Sequence, residues 1–108
     1  MNAASLIPFP NARQTASSAA RLAERVHALA ADSFNVRMGE PHFRESMTKR
    51  GIDMRSVLEV LRTGRAVGSP ELDEYGDWRI RLRRRVAGRR VHVVVAVCAD
   101  HVECITTW

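Results

Sequence analysis

The stretch WRIRLRRRVAGRRVHVVVAV, from Trp78 to Val97, constrains the fold more than any other part of the chain. Its only punctuation is Ala87-Gly88. A two-residue turn there joins two segments of period two into a β-hairpin. Val86 then faces Arg89, and the rest of the register follows. Trp78 opposes Val97, Ile80 opposes Val95, Leu82 opposes Val93 and Arg84 opposes Val91. That face is apolar apart from Arg84 and, beside the turn, Arg89. The other face pairs Arg79 with Ala96, Arg81 with Val94, Arg83 with His92 and Arg85 with Arg90. Side chains alternate along a strand, so a slip of one residue would bury the arginines. The register is therefore well specified, and helices elsewhere in the chain must cover the apolar side.

Those helices precede the hairpin. In TASSAARLAERVHALAADS, Leu22, Val26 and Leu29 recur at helical spacing, with Thr15, Ser17 or Ser18 as caps. SFNVRM alternates Phe34, Val36 and Met38, the pattern of a short strand. GEPHFRESMTKRGID reads as a helix, with Pro41 suited to its first position and Gly51 to a left-handed stop. Asp53 caps a second helix whose Met54, Val57, Leu58 and Leu61 form an apolar stripe, ended by Gly64. Beyond Gly64 the period becomes two. RAVGSPELDEYGD is a weak strand broken at Gly68, Ser69 and Pro70, and VECITTW is the last strand. The expected architecture is α+β: an N-terminal helix and a helical hairpin packed on a small antiparallel sheet. Residues 1–14, with Pro8 and Pro10, read as a flexible arm, and residues 15–108 as one domain.

Several classes are excluded by pattern. The longest apolar run, Val93 to Ala99, is seven residues, far short of a membrane span. The first residues lack the layout of a signal peptide, so the cytoplasm is the simplest location. Cys98 and Cys104 make neither a disulfide framework nor a four-ligand zinc site, and read as small strand residues. No His, Cys, Asp and Glu show metal-ligand spacing, and there is no Gly-rich phosphate loop or G-x-S-x-G motif. The expectation is no metal and no cofactor. Nothing in the sequence sets an oligomeric state.

Charge points to a partner. The formal net charge is +5, with sixteen arginines and one lysine. Such an excess favours nucleic acid, phosphate or an acidic protein, although a GC-rich genome would also raise arginine content. Arrangement says more than the total. Arg79, Arg81, Arg83, Arg85, Arg90 and His92 share one sheet face, and no acid lies between Arg79 and Arg90. A solvated face, with arginine stems lying on the sheet, is the plain alternative. Yet Arg85 opposite Arg90 costs about 0.2–1 kcal/mol as a like-charge pair, and solvated faces usually mix signs. An anion-binding face is the expectation.

His92 is the one group on that face that titrates near neutral pH. Neighbouring arginines should lower its pKa and favour the neutral imidazole. A neutral imidazole can take the proton of a ribose 2′-hydroxyl, while Arg79 and Arg81 stabilise the phosphate charge. The candidate catalytic residues are therefore His92, Arg81 and Arg79. The candidate nucleic-acid contacts are Arg79, Arg81, Arg83, Arg85, Arg90 and, at a helix start, His42. His27 and His101 read as structural. Tyr75, in a loop beside acids, is a poor stacking platform. Trp78 and Trp108 fall on the apolar face and read as core.

The motifs also carry a resemblance. NVRMGEPHFRESMTKRGIDMRSVLEVLRTG, followed by strands and ending ECITTW, looks like a bacterial family of small single-domain proteins known as a domain of unknown function, the group numbered 4258. The matching features are His42 at a helix start, the Arg50-Gly51-Ile52 junction, the VLEVLRTG helix, and a valine-rich strand before an IT ending; they span residues 34–108. More distantly, the chain is similar to RelE-like mRNA interferase toxins, especially the motility quorum-sensing regulator branch. That branch shares a leading helix, a strand beginning NVR, the helix pair and the antiparallel sheet. The resemblance implies a RelE-like fold and cleavage of mRNA, free or on the ribosome, restrained by an antitoxin. By position, Arg79 stands for a glutamine after a tryptophan, and His92 for a tyrosine on the strand after the hairpin. The lysine that ends that branch has no counterpart.

The expected function is thus a metal-independent endoribonuclease toxin of a toxin–antitoxin type system, binding RNA through the arginine face. The alternative is a non-catalytic module for nucleic acid on the same fold. An acidic protein such as a cognate antitoxin would fit the same face. The acids Glu71, Asp73, Glu74 and Asp77 could also fold over it as a lid.

Overall fold

The hairpin turn falls at Ala87-Gly88, where φ is 52° and 79°. Two successive positive φ values match the twist of the flanking strands, and glycine takes the second without a Cβ penalty. The two strands pair from Trp78 with Val97 to Val86 with Arg89, the register expected from alternation.

This computed structural model describes residues 15–108; the arm expected over residues 1–14 lies outside the described residues. The described residues begin with helix α1 (Thr15–Ala30), a 3-10 turn (Ser33–Asn35) and strand β1 (Val36–Met38). Helices α2 (His42–Arg50) and α3 (Met54–Thr63) follow. Strands β2 (Arg65–Leu72), β3 (Trp78–Val86), β4 (Arg89–Val97) and β5 (Val102–Thr107) complete it. The fold is α+β, the described residues forming three α-helices and a five-stranded sheet in the order β1-β5-β4-β3-β2.

The helical hairpin forms for local reasons. Gly51 ends α2 at φ 65°, its N–H reaching back to Met47 and Thr48. Two residues later Asp53 accepts the Ser56 N–H at 2.8 Å and starts α3. Gly64 ends α3 against the sheet. A Cβ there would lie 2.5 Å from the Val60 carbonyl oxygen and 3.1 Å from that of Arg83. Only glycine lets the helix end pass the β3 backbone so closely.

Val26 and Ala30 of α1, Phe43 of α2 and Val57, Val60 and Leu61 of α3 are buried against one sheet face. That face supplies Ile80, Leu82, Val91, Val93, Val95, Val102 and Cys104. Arg84 escapes the apolar side by pairing with Glu59 of α3 at 3.2 Å. Arg89 donates to the carbonyls of Arg50 and Gly51, satisfying the C-terminal end of α2.

Three details differ from expectation. The sheet is mixed, because β1 runs parallel to β5, pairing Val36 with Val102 and Met38 with Cys104. Two helices and three strands intervene between them, and a parallel partner always needs such a long connection. Phe34 lies in the 3-10 turn rather than in a strand and is 90% exposed, because Asp32 accepts its N–H at 3.0 Å. The third difference matters most. Val95 pairs with Cys104, but Val94 pairs with Thr106, so Ile105 is an extra residue in β5. This bulge reverses the alternation that follows it. Thr107 turns into the core and Trp108 turns out beside His92, not into the core as strict alternation predicts. Trp78 keeps its apolar face but is only half-buried, outside the core cluster.

Candidate nucleic-acid interface

All three helices pack on the apolar side, which leaves the opposite face of β2–β5 open. Cross-strand pairing arranges that face in rows. The first row reads Glu71, Arg79, Ala96, Glu103 and Arg37, with signs alternating across the sheet. The second reads Val67, Arg81, Val94 and Thr106. The third holds Arg65, Arg83, His92 and, through paired backbone bonds of 2.8 and 3.1 Å, Trp108. Arg85 and Arg90 form the fourth. The field is therefore polarised. Acids balance the first row, and none stands in the other three. Among the described residues, no carboxylate pairs with Arg65, Arg81, Arg83, Arg85 or Arg90.

Arg79 belongs to the balanced end. Its Nε donates to Asp73 Oδ2 at 3.3 Å, and the Asp73 side chain is 7% exposed. Asp73 also accepts the N–H groups of Tyr75 and Asp77, each at 2.9 Å. Burial works to raise the Asp73 pKa, but these donors together hold it below the usual carboxylate value. The acidic stretch is thus the end of β2 and the β2–β3 turn. It closes one edge of the basic face and spends one of its carboxylates on Arg79.

His92 and Trp108 form the centre. Their rings stack with centroids 4.8 Å apart and planes within 6°. The Arg81 guanidinium carbon lies 5.7 Å from the indole centroid. A cation at that distance is attracted by the ring quadrupole. Two polar atoms here are buried without a partner, Arg81 Nε and His92 Nδ1. Burial of Nδ1 leaves Nε2 as the imidazole nitrogen that can meet a ligand. The His92 pKa lies below its ordinary value, first because burial disfavours the cation, then because Arg81, Arg83 and Arg90 repel it. The shift favours the neutral imidazole, as the sequence suggests, though burial stands ahead of any single arginine among its causes.

Two depressions flank Trp108. One, of about 350 Å³, lies toward β2 beside Glu71, Arg79 and Arg81. The other, of about 240 Å³, lies toward α2, where His42, Lys49 and Arg50 meet Thr106 and Trp108. Ser46 and Thr106 hydroxyls, 3.2 Å apart, hold α2 to this edge of β5. His42, a helix away in sequence, is thereby brought to the rim of the same face. Arg83 is half-buried, whereas Arg85 and Arg90 are exposed, and Arg85 also donates to the Gly88 carbonyl at 3.0 Å.

The remaining sequence candidates lie elsewhere. His27 Nε2 sits 2.7 Å from the Gly64 carbonyl oxygen and ties α1 to the end of α3. His101 meets Asp100 in the last turn. Burial first of all pushes the Cys98 thiol up to about 11 and the Cys104 thiol up to about 12, so neither is a nucleophile. Among the described residues, no three His, Cys, Asp or Glu side chains come together as metal ligands. Nor is any described helix long and apolar enough to cross a membrane.

Residues missed by sequence reasoning are Trp108, Arg65, Lys49 and Arg50. Arg65 enters because β2 pairs with β3 across a register shift between Val67 and Glu71, so counting back from the turn does not give its partner Arg83. Lys49 and Arg50 enter because α2 docks on the β5 edge.

The family model of a domain of unknown function, DUF4258, matches residues 40–108. The chain belongs to the DUF4258 family. The DUF4258 match spans α2, α3 and β2–β5, so every residue of the basic face except Arg37 lies inside it. The leading α1 and β1 precede it. No curated protein matches the chain in sequence.

Proposed function

We propose that this protein binds single-stranded RNA on the arginine face and cleaves it without a metal, His92 acting as general base. The observation that carries the reading is the stacked His92–Trp108 pair set among arginines that have no counter-charge. Stacking on an aromatic group contributes about 1–3 kcal/mol per base and tolerates any base. Five arginines around it supply the backbone affinity. Arg85 and Arg90, held side by side, gain a counter-charge when a phosphate bridges them.

The chemistry follows from His92. Its neutral Nε2 removes the proton of a ribose 2′-hydroxyl. The 2′-oxygen then attacks the adjacent phosphorus, and the bond from phosphorus to the 5′-oxygen breaks. The products are a 2′,3′-cyclic phosphate and a 5′-hydroxyl, whose proton comes from water or from the imidazolium. Arg81 and Arg83 stabilise charge on the phosphate oxygens. DNA, which lacks the 2′-hydroxyl, is bound but not cut. Such an enzyme acts in the cytoplasm as a toxin and needs a restraining partner, and an acidic antitoxin covering the same face would provide one. The distant likeness to RelE-like interferases supports this role.

The test incubates purified protein with long single-stranded RNA in EDTA, wild type beside His92→Ala. Fragments from wild type and intact, still-bound RNA with His92→Ala are expected. Intact RNA with both proteins would remove the catalytic role and leave a binding module.

A further inference from the structure

We propose that the depression beside β2 is a guanine-reading subsite, in which Glu71 takes the Watson–Crick edge of the base and Arg81 takes its O6/N7 edge. The proposal rests on the RNA reading above and adds a base preference to it; with guanine in the subsite Arg81 serves the base, and Arg83 is left to stabilise the phosphate charge.

Space comes from a second irregularity. β2 loses its register with β3 between Val67 and Glu71, where Gly68 has φ 77°. The bulge opens the depression of about 350 Å³, at the lower end of the ~300–1,000 Å³ of small-ligand sites. Val67, Val94 and Trp108 supply apolar lining. The Arg81 guanidinium lies near that indole, and its buried Nε has no partner. Glu71 stands at the rim, directly across from Arg79.

Glu71 is the informative residue. It faces Arg79 in the sheet, yet Arg79 donates to Asp73 instead. Glu71 makes no ion pair with any described residue. An unpaired carboxylate on an RNA-binding face repels the backbone and weakens binding of every sequence. It gains a purpose if it selects among sequences, since discrimination is a difference of affinities.

The donor pattern of the bases decides which one. A carboxylate only accepts. Guanine presents two adjacent donors, N1–H and the N2 amino group, which match the two carboxylate oxygens. Adenine and cytosine each present one donor beside an acceptor lone pair. Uracil presents one donor flanked by two carbonyl oxygens. Only guanine meets Glu71 without repulsion. On its other edge, guanine offers O6 and N7 as acceptors, the commonest partners of an arginine fork.

The experiment is fluorescence anisotropy with short oligouridylate and with the same oligomer carrying one central guanosine, inosine, adenosine or cytidine. Guanosine should raise affinity about tenfold over uridine, the lower range for a bidentate pair. Inosine, which lacks the N2 amino group, should recover only part of the gain. Glu71→Gln should reduce the preference to the part that Arg81 supplies on the O6/N7 edge, and should remove the difference between guanosine and inosine, while binding oligouridylate at least as tightly as wild type. Equal binding of all five oligomers would overturn the guanine subsite and leave the RNA face standing. A guanosine preference undiminished by Glu71→Gln would overturn the role of Glu71. Failure to bind any oligomer, oligouridylate included, would overturn the RNA reading and the subsite with it.

Discussion

Arg83→Ala should flatten the salt dependence of RNA binding, and Arg79→Ala should not. Both residues project from β3 on the same face, four apart in sequence. Their surroundings separate them. Arg79 already donates to Asp73, so it neutralises no RNA phosphate and releases no counterion from the strand. Arg65, Arg81, Arg83, Arg85 and Arg90 have no carboxylate partner among the described residues. If each meets one phosphate of a single strand, log K falls with log salt at a slope of about −3.5. Affinity then drops about a hundredfold between ~50 and ~200 mM salt. Removing Arg83 lowers the slope to about −2.8, whereas removing Arg79 leaves it near −3.5. Anisotropy titrations of oligouridylate at several salt concentrations measure both slopes. A slope near zero for wild type would refute phosphate binding by this face. Equal flattening by the two substitutions would refute the charge partition between balanced and unbalanced rows.

Other outcomes follow from the same geometry. Trp108→Ala should weaken binding of oligouridylate about tenfold, within the ~1–3 kcal/mol of a stacked base; RNA should quench Trp108 fluorescence, and Trp78→Phe should leave that quenching intact. His92 should titrate in an NMR pH series below its ordinary 6.5. Because the unfolded imidazole protonates first, the His92 contribution to stability is complete above about pH 6.5 and is lost as pH falls toward the folded pKa. Denaturant melts of wild type and His92→Gln across that window should show the loss in wild type alone. Leu82→Ala removes a fully buried side chain between sheet and helices and should cost about 2–5 kcal/mol in urea unfolding, with the RNA face unchanged in the residual folded protein.

Much of this face was legible in the chain itself. A two-residue turn flanked by strict alternation leaves one register, and that register put Arg81, Arg83, Arg85, Arg90 and His92 together. The helical hairpin was equally local, since Gly51 and Asp53 each act within one turn of their own helix. The depressed pKa of His92 was visible in direction from neighbouring arginines, but its leading cause, burial, depends on what packs above the strand. Arg79 looked like the other arginines because sequence shows its charge and not its partner. Asp73 reaches it only after the β2–β3 turn folds.

Local rules of period, turn and cap thus set the sheet hairpin, the helices and the segregation of arginines. Those rules act over a few residues and need no distant partner. The tertiary structure decided what stands at the centre of the basic face. One extra residue at Ile105 turns Trp108 from the core to His92. That bulge follows from β5 meeting three neighbours at once: Thr107 donates to the His92 carbonyl at 2.7 Å, Thr106 meets Ser46 of α2, and Cys104 fills the core beside β1. No alternation in VECITTW encodes it, because the count of residues across a strand pair is fixed by packing on both sides of the pair rather than by the strand alone.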